Sequence, residues 1–122
     1  MTKFVIQGRL SSLNEYTSAN RANKYMGAKL KKDNEEPIFW AIREAKIKRV
    51  TNYPITLKIK WYEPNKRRDI DNIVFATKFI QDALVKAGVI EDDSQKYINK
   101  VVHEVATDKN NPRIEVEIKE GD

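Results

Sequence analysis

The clearest hydrophobic pattern in the chain is a strict alternation that begins after Pro54. Apolar side chains take every second position over Ile55, Thr56, Leu57, Lys58, Ile59, Lys60, Trp61 and Tyr62. A period of two is typical of a β-strand with one buried face. Shorter apolar runs at Phe4–Gln7, Tyr97–Ala106 and Arg113–Lys119 predict three more strands, and the polar turn Asp108–Pro112 joins the last two as a hairpin.

Two other segments repeat their apolar residues every three to four positions, as amphipathic helices do. The first begins at residues 33–34, or earlier near Ala28, and Pro37 suits its first turn. The second runs from about Asn72 to Ala87, and Gly88 fits a left-handed cap after it. Between residues 11 and 23 the polar composition predicts a long excursion with one helical turn.

The resulting order of elements is β-α-β-α-β-β, and it predicts an α+β fold. We expect a small mixed β-sheet of about four strands with two main helices packed on it. The 122 residues suffice for one hydrophobic core and are too few for two, so the sequence predicts a single domain over residues 1–122.

Composition narrows the class of protein. The chain has no cysteine, which excludes disulfides, zinc–thiolate sites and thiol nucleophiles. No apolar run approaches roughly 20 residues and the N-terminus lacks the apolar core of a signal peptide, so we expect no membrane contact and a cytoplasmic location. The net charge is +5 and unevenly placed: residues 1–60 hold 13 Lys and Arg against 5 acids, and residues 61–122 hold 10 against 13. The basic half suits a polyanion.

Candidate chemistry is concentrated just after the central strand. Asp69 and Asp71 lie two positions apart in a segment leaving that strand, where extended chain points both side chains to the same side. Asp92 and Asp93 follow the second helix, and a sharp reversal at Gly88 would bring them back to the first pair, which the spacing permits without requiring. Magnesium prefers such oxygen ligands. Without a cation, each like-charge pair about 4 Å apart costs about 4 kcal/mol. The alternative is that one aspartate only caps the helix.

Basic residues lie in two places along the chain. One group directly precedes the acidic pair, and the other forms a cationic run before the first helix. The run is either a solvated surface or an arm that follows DNA phosphates, and both groups are candidate DNA-binding residues that position the backbone without reading sequence. The candidates are Lys66, Arg67, Arg68, Arg21, Lys24, Lys29, Lys31 and Lys32.

The order of several motifs resembles a known family. Arg68–Asn72 is followed by a helix with Asp82–Leu84 and Lys86–Gly88, and then by Asp92–Gln95. This succession is similar to that in the RusA family of Holliday-junction resolvases, strongly over about residues 54–106 and compatibly elsewhere. The resemblance implies a RusA-like nuclease domain. It also implies a homodimeric endodeoxyribonuclease, of a kind often encoded by prophages, that cuts branched, four-way DNA junctions in recombination and repair using Mg²⁺.

The same resemblance implies specific site residues. Carried over by motif, Asp69, Asp71 and Asp93 are the catalytic and metal-binding aspartates. In the family pattern a functional lysine follows four residues after the second aspartate, but Phe75 stands there in this chain. Lys78 is interpreted as its catalytic replacement, because positions four and seven residues along a helix flank one face. On this hypothesis the metal activates a water for in-line attack on a phosphodiester.

Three rival interpretations remain. A non-catalytic basic nucleic-acid-binding module would use the same cations, with the acids as plain surface. Glu117-Ile118-Lys119 fits a short nuclease pattern, although the buried alternation there points both charged residues to solvent. His103, the single histidine, is a candidate general base or a packed strand residue.

Overall fold

The computed structural model describes residues 2–121, which form four strands and four helices. In chain order they are β1 (Thr2–Gln7), α1 (Leu13–Ala22), α2 (Lys24–Glu44), β2 (Ile55–Glu63), α3 (Ile70–Val74), α4 (Thr77–Lys86), β3 (Ile98–Thr107) and β4 (Arg113–Glu120). The expected α+β fold with a four-stranded mixed sheet is therefore confirmed. None of the helices in this part of the chain is both long and apolar enough to cross a bilayer.

β2 is an interior strand of the sheet, whose order is β1-β4-β2-β3. It pairs in parallel with β3 and antiparallel with β4, and β4 pairs antiparallel with β1. The alternation predicted from the sequence is confirmed, because Ile55, Leu57, Ile59 and Trp61 are each at most 2% exposed. The helical connection α3–α4 makes the parallel pairing possible, since parallel neighbours need a long crossover.

The predicted hairpin between the last two strands is wrong. β3 and β4 are consecutive in sequence, yet β4 inserts between β1 and β2 while β3 takes the opposite side of β2. The difference in burial between the two strands explains why β4, and not β3, lies in the interior of the sheet. Ile114, Val116 and Ile118 of β4 are at most 3% exposed and belong in the interior of the sheet, whereas Ile98 alone is buried in β3.

The segment before the first predicted helix is also more ordered than expected. Residues 13–22 form α1, three turns long, with a capping box between Ser12 and Glu15. α2 then begins at Lys24, capped by the Asn23 side chain, which accepts from the Met26 amide. α2 therefore contains the cationic run, and Pro37 lies inside it instead of in its first turn.

The second predicted helix is interrupted. α3 ends at Val74 and α4 begins at Thr77, with a tight turn at Phe75 and Ala76 between them. Both residues keep right-handed helical backbone angles, and the Lys78 and Phe79 amides donate three residues back, to Phe75 and Ala76. The helix is therefore tightened over this turn, and the chain stays on a helical path.

The core lies between the helices and one face of the sheet, and it includes Ile38 and Ile42 of α2 and Phe79, Ile80 and Leu84 of α4. Trp40 of α2 lies outside this core and is 60% exposed. The other face of the sheet is lined by charged residues, including Lys58, Lys60 and Glu117.

Candidate active site

Asp69 and Asp71 lie at the start of α3, six and eight residues beyond the end of β2. The Asp69 carbonyl accepts from the amides of Asn72 (3.1 Å) and Ile73 (3.2 Å), so its backbone begins the helix. Its side chain makes no capping hydrogen bond, and Asp71 is already inside the helix. Side-chain capping therefore does not account for either carboxylate. Both residues are exposed, and neither has an ion pair within residues 2–121.

The residues that flank the two aspartates attach this segment to α1. The Arg68 guanidinium donates to the Leu10 carbonyl (3.0 Å) and to Glu15 Oε1 (2.7 Å). Asn72 Oδ1 accepts from the Asn14 amide at 3.1 Å. The Asp-x-Asp segment is thus held from both sides by the N-terminal end of α1. Sequence reasoning missed the α1 residues, and the Ser12-x-x-Glu15 capping-box pattern was the signal that would have located them.

A further carboxylate lies at the end of β2 and was also missed. Glu63 is 5% exposed and forms an ion pair with Arg9 at 2.7 Å. Its carbonyl accepts from the Asp108 amide at 2.8 Å. Because its charge is already balanced by a close guanidinium, Glu63 serves to fix the end of β2 next to the turn that follows β3.

Asp93 lies at the other end of the sheet. The Val50 amide donates to the Val89 carbonyl (2.8 Å), the Glu91 amide to the Tyr53 hydroxyl (3.1 Å) and the Ile55 amide to the Tyr97 carbonyl (2.8 Å). These bonds hold residues 89–97, Asp93 included, beside the residues that precede and begin β2. Asp69 and Asp71 follow the end of β2, and its nine residues span about 26 Å.

The expected reversal at Gly88 is present but leads elsewhere. Gly88 has φ +75°, its amide donates to the Val85 carbonyl (3.0 Å), and the Val89 amide donates to the Leu84 carbonyl (3.0 Å). These two bonds form a Schellman cap. Val89 and Ile90 then enter the core, so the acidic loop continues to the start of β2 and not towards Asp71. In residues 2–121 no three Asp, Glu or His side chains are grouped so that they could hold a metal ion.

Lys78 is the second residue of α4 and is exposed. Asp82, four residues further along α4, forms an ion pair with Lys31 at 3.3 Å. Phe75 and Ala76, which lie between α3 and α4, keep right-handed helical angles, and the placement of Lys78 on the face of Asp71 stays a prediction. Phe75 lies where the resemblance implies a lysine, and its ring packs against Tyr16 and Phe79, with centroids 5.2 and 5.6 Å away.

The candidate DNA-binding cations fall into two groups. Three are engaged within the chain: Arg68 as above, Lys29 with Asp33 (2.7 Å), and Lys31 with Asp82. The hydrogen bond that Lys29 donates to Asp33 raises the pKa of Lys29, and the one that Lys31 donates to Asp82 raises the pKa of Lys31. The others are exposed and have no ion pair within the described residues, namely Lys66, Arg67, Arg21, Lys24 and Lys32.

The two rival catalytic sites are occupied by other interactions. Glu117 lies between Lys3 (3.3 Å) and Lys58 (3.9 Å) on the open face of the sheet. Trp61 Nε1–H donates to His103 Nδ1 at 3.0 Å, and burial lowers the pKa of His103. The imidazole therefore accepts a cross-strand hydrogen bond as a neutral ring, which fits a packing role.

The family model of the endodeoxyribonuclease RusA matches residues 9–119. The chain belongs to the RusA family. A comparison with curated proteins gave no match. The match spans every element of this RusA-family protein from α1 onward, including the Asp-x-Asp segment, the acidic loop and the crossover between them, and it gives the chain an endodeoxyribonuclease ancestry.

Proposed function

We propose that this RusA-family protein resolves four-way DNA junctions by paired hydrolysis of phosphodiester bonds, using Mg²⁺ and acting in the cytoplasm on recombination and repair intermediates. One observation carries the proposal. Within a chain that the endodeoxyribonuclease family spans, Asp69 and Asp71 are exposed, uncapped and unpaired, directly beside the equally unpaired Lys66 and Arg67. Unpaired carboxylates next to unpaired basic side chains contribute little to the stability of the fold. They do provide groups that could bind a metal ion and a DNA phosphate.

The family resemblance implies a third carboxylate ligand, Asp93, and a single chain does not bring it to Asp69 and Asp71. Asp93 lies about one strand length from Asp69 and Asp71 in its own chain, and the three do not fit an ion there. We therefore infer that Asp93 is supplied by a second copy of the chain in a homodimer. Carboxylate oxygens are ligands that Mg²⁺ prefers, and the ion, when bound, would activate water and stabilise charge on the phosphate.

The surrounding residues have separate tasks in this proposal. Lys66 and Arg67 contact the DNA backbone next to the two aspartates, and Arg21, Lys24 and Lys32 extend the cationic surface along α1 and α2. Lys29 and Lys31 contribute less, because each is neutralised by a carboxylate. Arg68 positions the aspartates through α1. Lys78, exposed at the start of α4, adds positive charge near the phosphate.

A homodimer also matches the reaction. Resolution of a junction needs cuts in two opposed strands, and a two-fold axis supplies two equivalent sites. If each site takes two aspartates from one copy and one from the other, neither copy cuts alone. Paired cutting then follows from assembly.

The test is cleavage of a synthetic four-way junction by Asp71→Asn and Asp93→Asn proteins in Mg²⁺, with Ca²⁺ and EDTA as controls. We expect cleavage to fall at least roughly 100-fold in each, since loss of metal support alone costs 10–100-fold. Junction binding should persist. Asp92→Asn is the matched control, adjacent in sequence and exposed, and should cut at the parental rate. Near-parental cleavage by Asp71→Asn would refute the site.

A non-catalytic DNA-binding module is the second candidate. It is favoured by the absence of any three-carboxylate group within residues 2–121 and by the basic first half of the chain. This candidate predicts salt-sensitive junction binding and no nicked product with any divalent ion. Cleavage by the unaltered protein, lost in Asp71→Asn, excludes it.

A further inference from the structure

The outward face of α2 carries large aromatic side chains that are exposed. Tyr25 is 71% exposed and Trp40 is 60% exposed. Tyr25, Lys32 and Phe39 follow each other at intervals of seven residues, close to two helical turns, so they form a line of about 21 Å along the helix. Trp40 lies at the end of this line, and its ring meets the Phe39 ring nearly at a right angle, with centroids 5.8 Å apart. We call Tyr25, Lys32, Phe39 and Trp40 the outer row of α2.

A groove of about 480 Å³ lies beside Trp40, between α2 and α4. Phe39 and Trp40 of α2 and Ala83 of α4 give it apolar walls, and Lys32 and Glu36 are among its polar residues. Pockets that hold small ligands measure roughly 300–1,000 Å³, so the groove has room for one planar ring system against Trp40. Exposed apolar surface with a polar rim is typical of an interaction site.

Two lysines at the groove are engaged by carboxylates. Glu35 is 6% exposed, and its carboxylate accepts a hydrogen bond from Lys86 and lies 3.8 Å from Lys31 Nζ. Lys31 also forms the ion pair with Asp82. The charges of Lys31 and Lys86 are therefore balanced inside the chain, and a ligand has to be attracted by other cations.

Those other cations lie on both sides of the aromatic rings. Lys32 and Arg43 are exposed and have no ion pair within residues 2–121. The Arg43 guanidinium lies 5.8 Å from the centroid of the Phe39 ring. Residues 24–49 together hold 8 Lys and Arg against 4 acids, so the surface around the outer row is positive. Its charge is complementary to a polyanion.

We propose that the outer row of α2 binds a single strand of DNA, with an unpaired base stacked on Trp40 in the groove and the flanking phosphates on Lys32 and Arg43. Aromatic side chains next to unpaired cations are the means by which proteins hold single strands without reading sequence. The inference goes beyond the proposed function, because this surface uses neither the aspartates nor a metal ion.

The distribution of charge favours a single strand over two other polyanions. An acidic peptide would bring its carboxylates into a groove that already contains Glu35 and Glu36. A DNA strand keeps its charge on the phosphates, so a neutral base can enter the groove while the phosphates stay on the cations. In duplex DNA the faces of the bases are stacked on each other and are closed to Trp40.

The fluorescence of Trp40 tests stacking directly. The chain has two tryptophans, and Trp61 is 2% exposed, so a base that enters the groove can stack on Trp40 alone. We expect an oligothymidylate of about 12 nucleotides, added in EDTA, to quench the fluorescence of the unaltered protein. In the Trp40→Phe protein only Trp61 emits, and the same oligonucleotide should cause no quenching although it still binds.

The affinity for the same oligonucleotide, measured by fluorescence anisotropy of a labelled strand, tests the contribution of the ring. Loss of one base-stacking contact should raise the Kd of Trp40→Ala about 5- to 150-fold, while Trp40→Phe should stay closer to the parent. Val102→Ala is the matched control, because Val102 is an exposed apolar residue of β3, and it should leave the Kd unchanged. Trp40→Ala should melt near the parent temperature, since most of the ring is in solvent.

The salt dependence of the Kd tests the phosphate contact independently. Lys32→Gln should reduce the slope of log Kd against log salt concentration by about 0.7, the value for one phosphate of a single strand. Lys119→Gln is the matched control. Lys119 is an exposed lysine of β4 without an ion pair in residues 2–121, and its loss should leave the slope unchanged.

The outcomes separate this inference from the proposed function. Fluorescence that saturating oligothymidylate does not change, or equal Kd values for Trp40→Ala and the parent, would overturn the single-strand surface even if junctions are cut. Quenching of equal strength by a duplex of the same length, or tighter binding of an oligoglutamate peptide, would overturn it as well. A protein that binds the strand through Trp40 and never cleaves a junction in Mg²⁺ would leave the surface standing and refute the proposed function.

Discussion

Arg68 and Asn72 lie on either side of the two exposed aspartates, and both bind α1. The Arg68 guanidinium donates hydrogen bonds to Leu10 and Glu15, while its neighbour Arg67 is exposed and has no ion pair within the described residues. Arg67 and Arg68 are adjacent and both basic, yet they have different roles, and the sequence alone does not distinguish them. The difference follows from α1, whose capping box places the Glu15 carboxylate where Arg68 reaches it.

This contrast predicts different costs for two neighbouring substitutions. Arg68→Ala removes one hydrogen bond to a carbonyl and one to a partly exposed carboxylate, so the free energy of unfolding should fall by about 1–2 kcal/mol. Arg67→Ala should change it by less than about 0.5 kcal/mol. Urea unfolding followed by circular dichroism measures both. Equal losses in the two proteins would show that Arg68 does not anchor the segment.

At the scale of elements, the predictable parts are those whose burial repeats regularly. The alternation of β2 identifies its buried face from the order of residues alone, and the apolar stripe of α4 does the same. α1 was not predicted because none of its residues is buried, so its sequence shows no apolar stripe of the kind that identifies an amphipathic helix. The hairpin was predicted wrongly because neighbours in sequence usually pair, whereas here β4 has the more regular apolar alternation and takes the interior position.

The contact between β2 and β3 predicts a pH dependence. Burial lowers the pKa of His103 in the folded protein below its usual value near 6.5, so the unfolded chain binds the proton more tightly. The contribution of neutral His103 to the free energy of unfolding should be fully present above about pH 6.5. It should be lost as the pH falls through that value towards the lowered pKa. Protonation of Nδ1 also removes the acceptor for Trp61.

The measurement is the urea midpoint at pH 7.5 and 5.5 for the parent and for His103→Gln. Glutamine offers an acceptor and does not titrate, while all other titrating groups are common to both proteins. The parent should lose more stability between the two pH values than the variant. The same loss in both proteins would mean that His103 is not linked to folding.

At the scale of the whole molecule, the sequence could place the aspartates on elements but not in space. Asp69 and Asp71 follow β2, whose alternating apolar residues identify it as a strand. Their position after the end of that strand was therefore predictable. The position of Asp93 depends on β3 being parallel to β2, because that pairing sends the chain after α4 back to the start of β2. A sequence motif gives the order of candidate metal ligands along the chain. It does not show which copy of the chain would supply each ligand to a site.

A site shared between two copies predicts how mixtures of inactive proteins behave. Asp71→Asn and Asp93→Asn should each fail to cut junctions. In a mixed dimer, however, the Asp93→Asn chain contributes intact Asp69 and Asp71, and the Asp71→Asn chain contributes intact Asp93. One complete site forms and the other carries both defects, so after subunit exchange the mixture should regain activity and nick one strand. Random pairing makes about half of the dimers mixed.

The matched control is a mixture of Asp69→Asn and Asp71→Asn. Both defects lie in the part of the site that a single chain contributes, so each site in the mixed dimer keeps one defect and the mixture should stay inactive. If sites were complete within each chain, neither mixture would recover, because every chain carries a defect. Recovery in the first mixture alone therefore requires that Asp93 reach the Asp69 and Asp71 of another copy, and failure of both would place the three aspartates back in one chain.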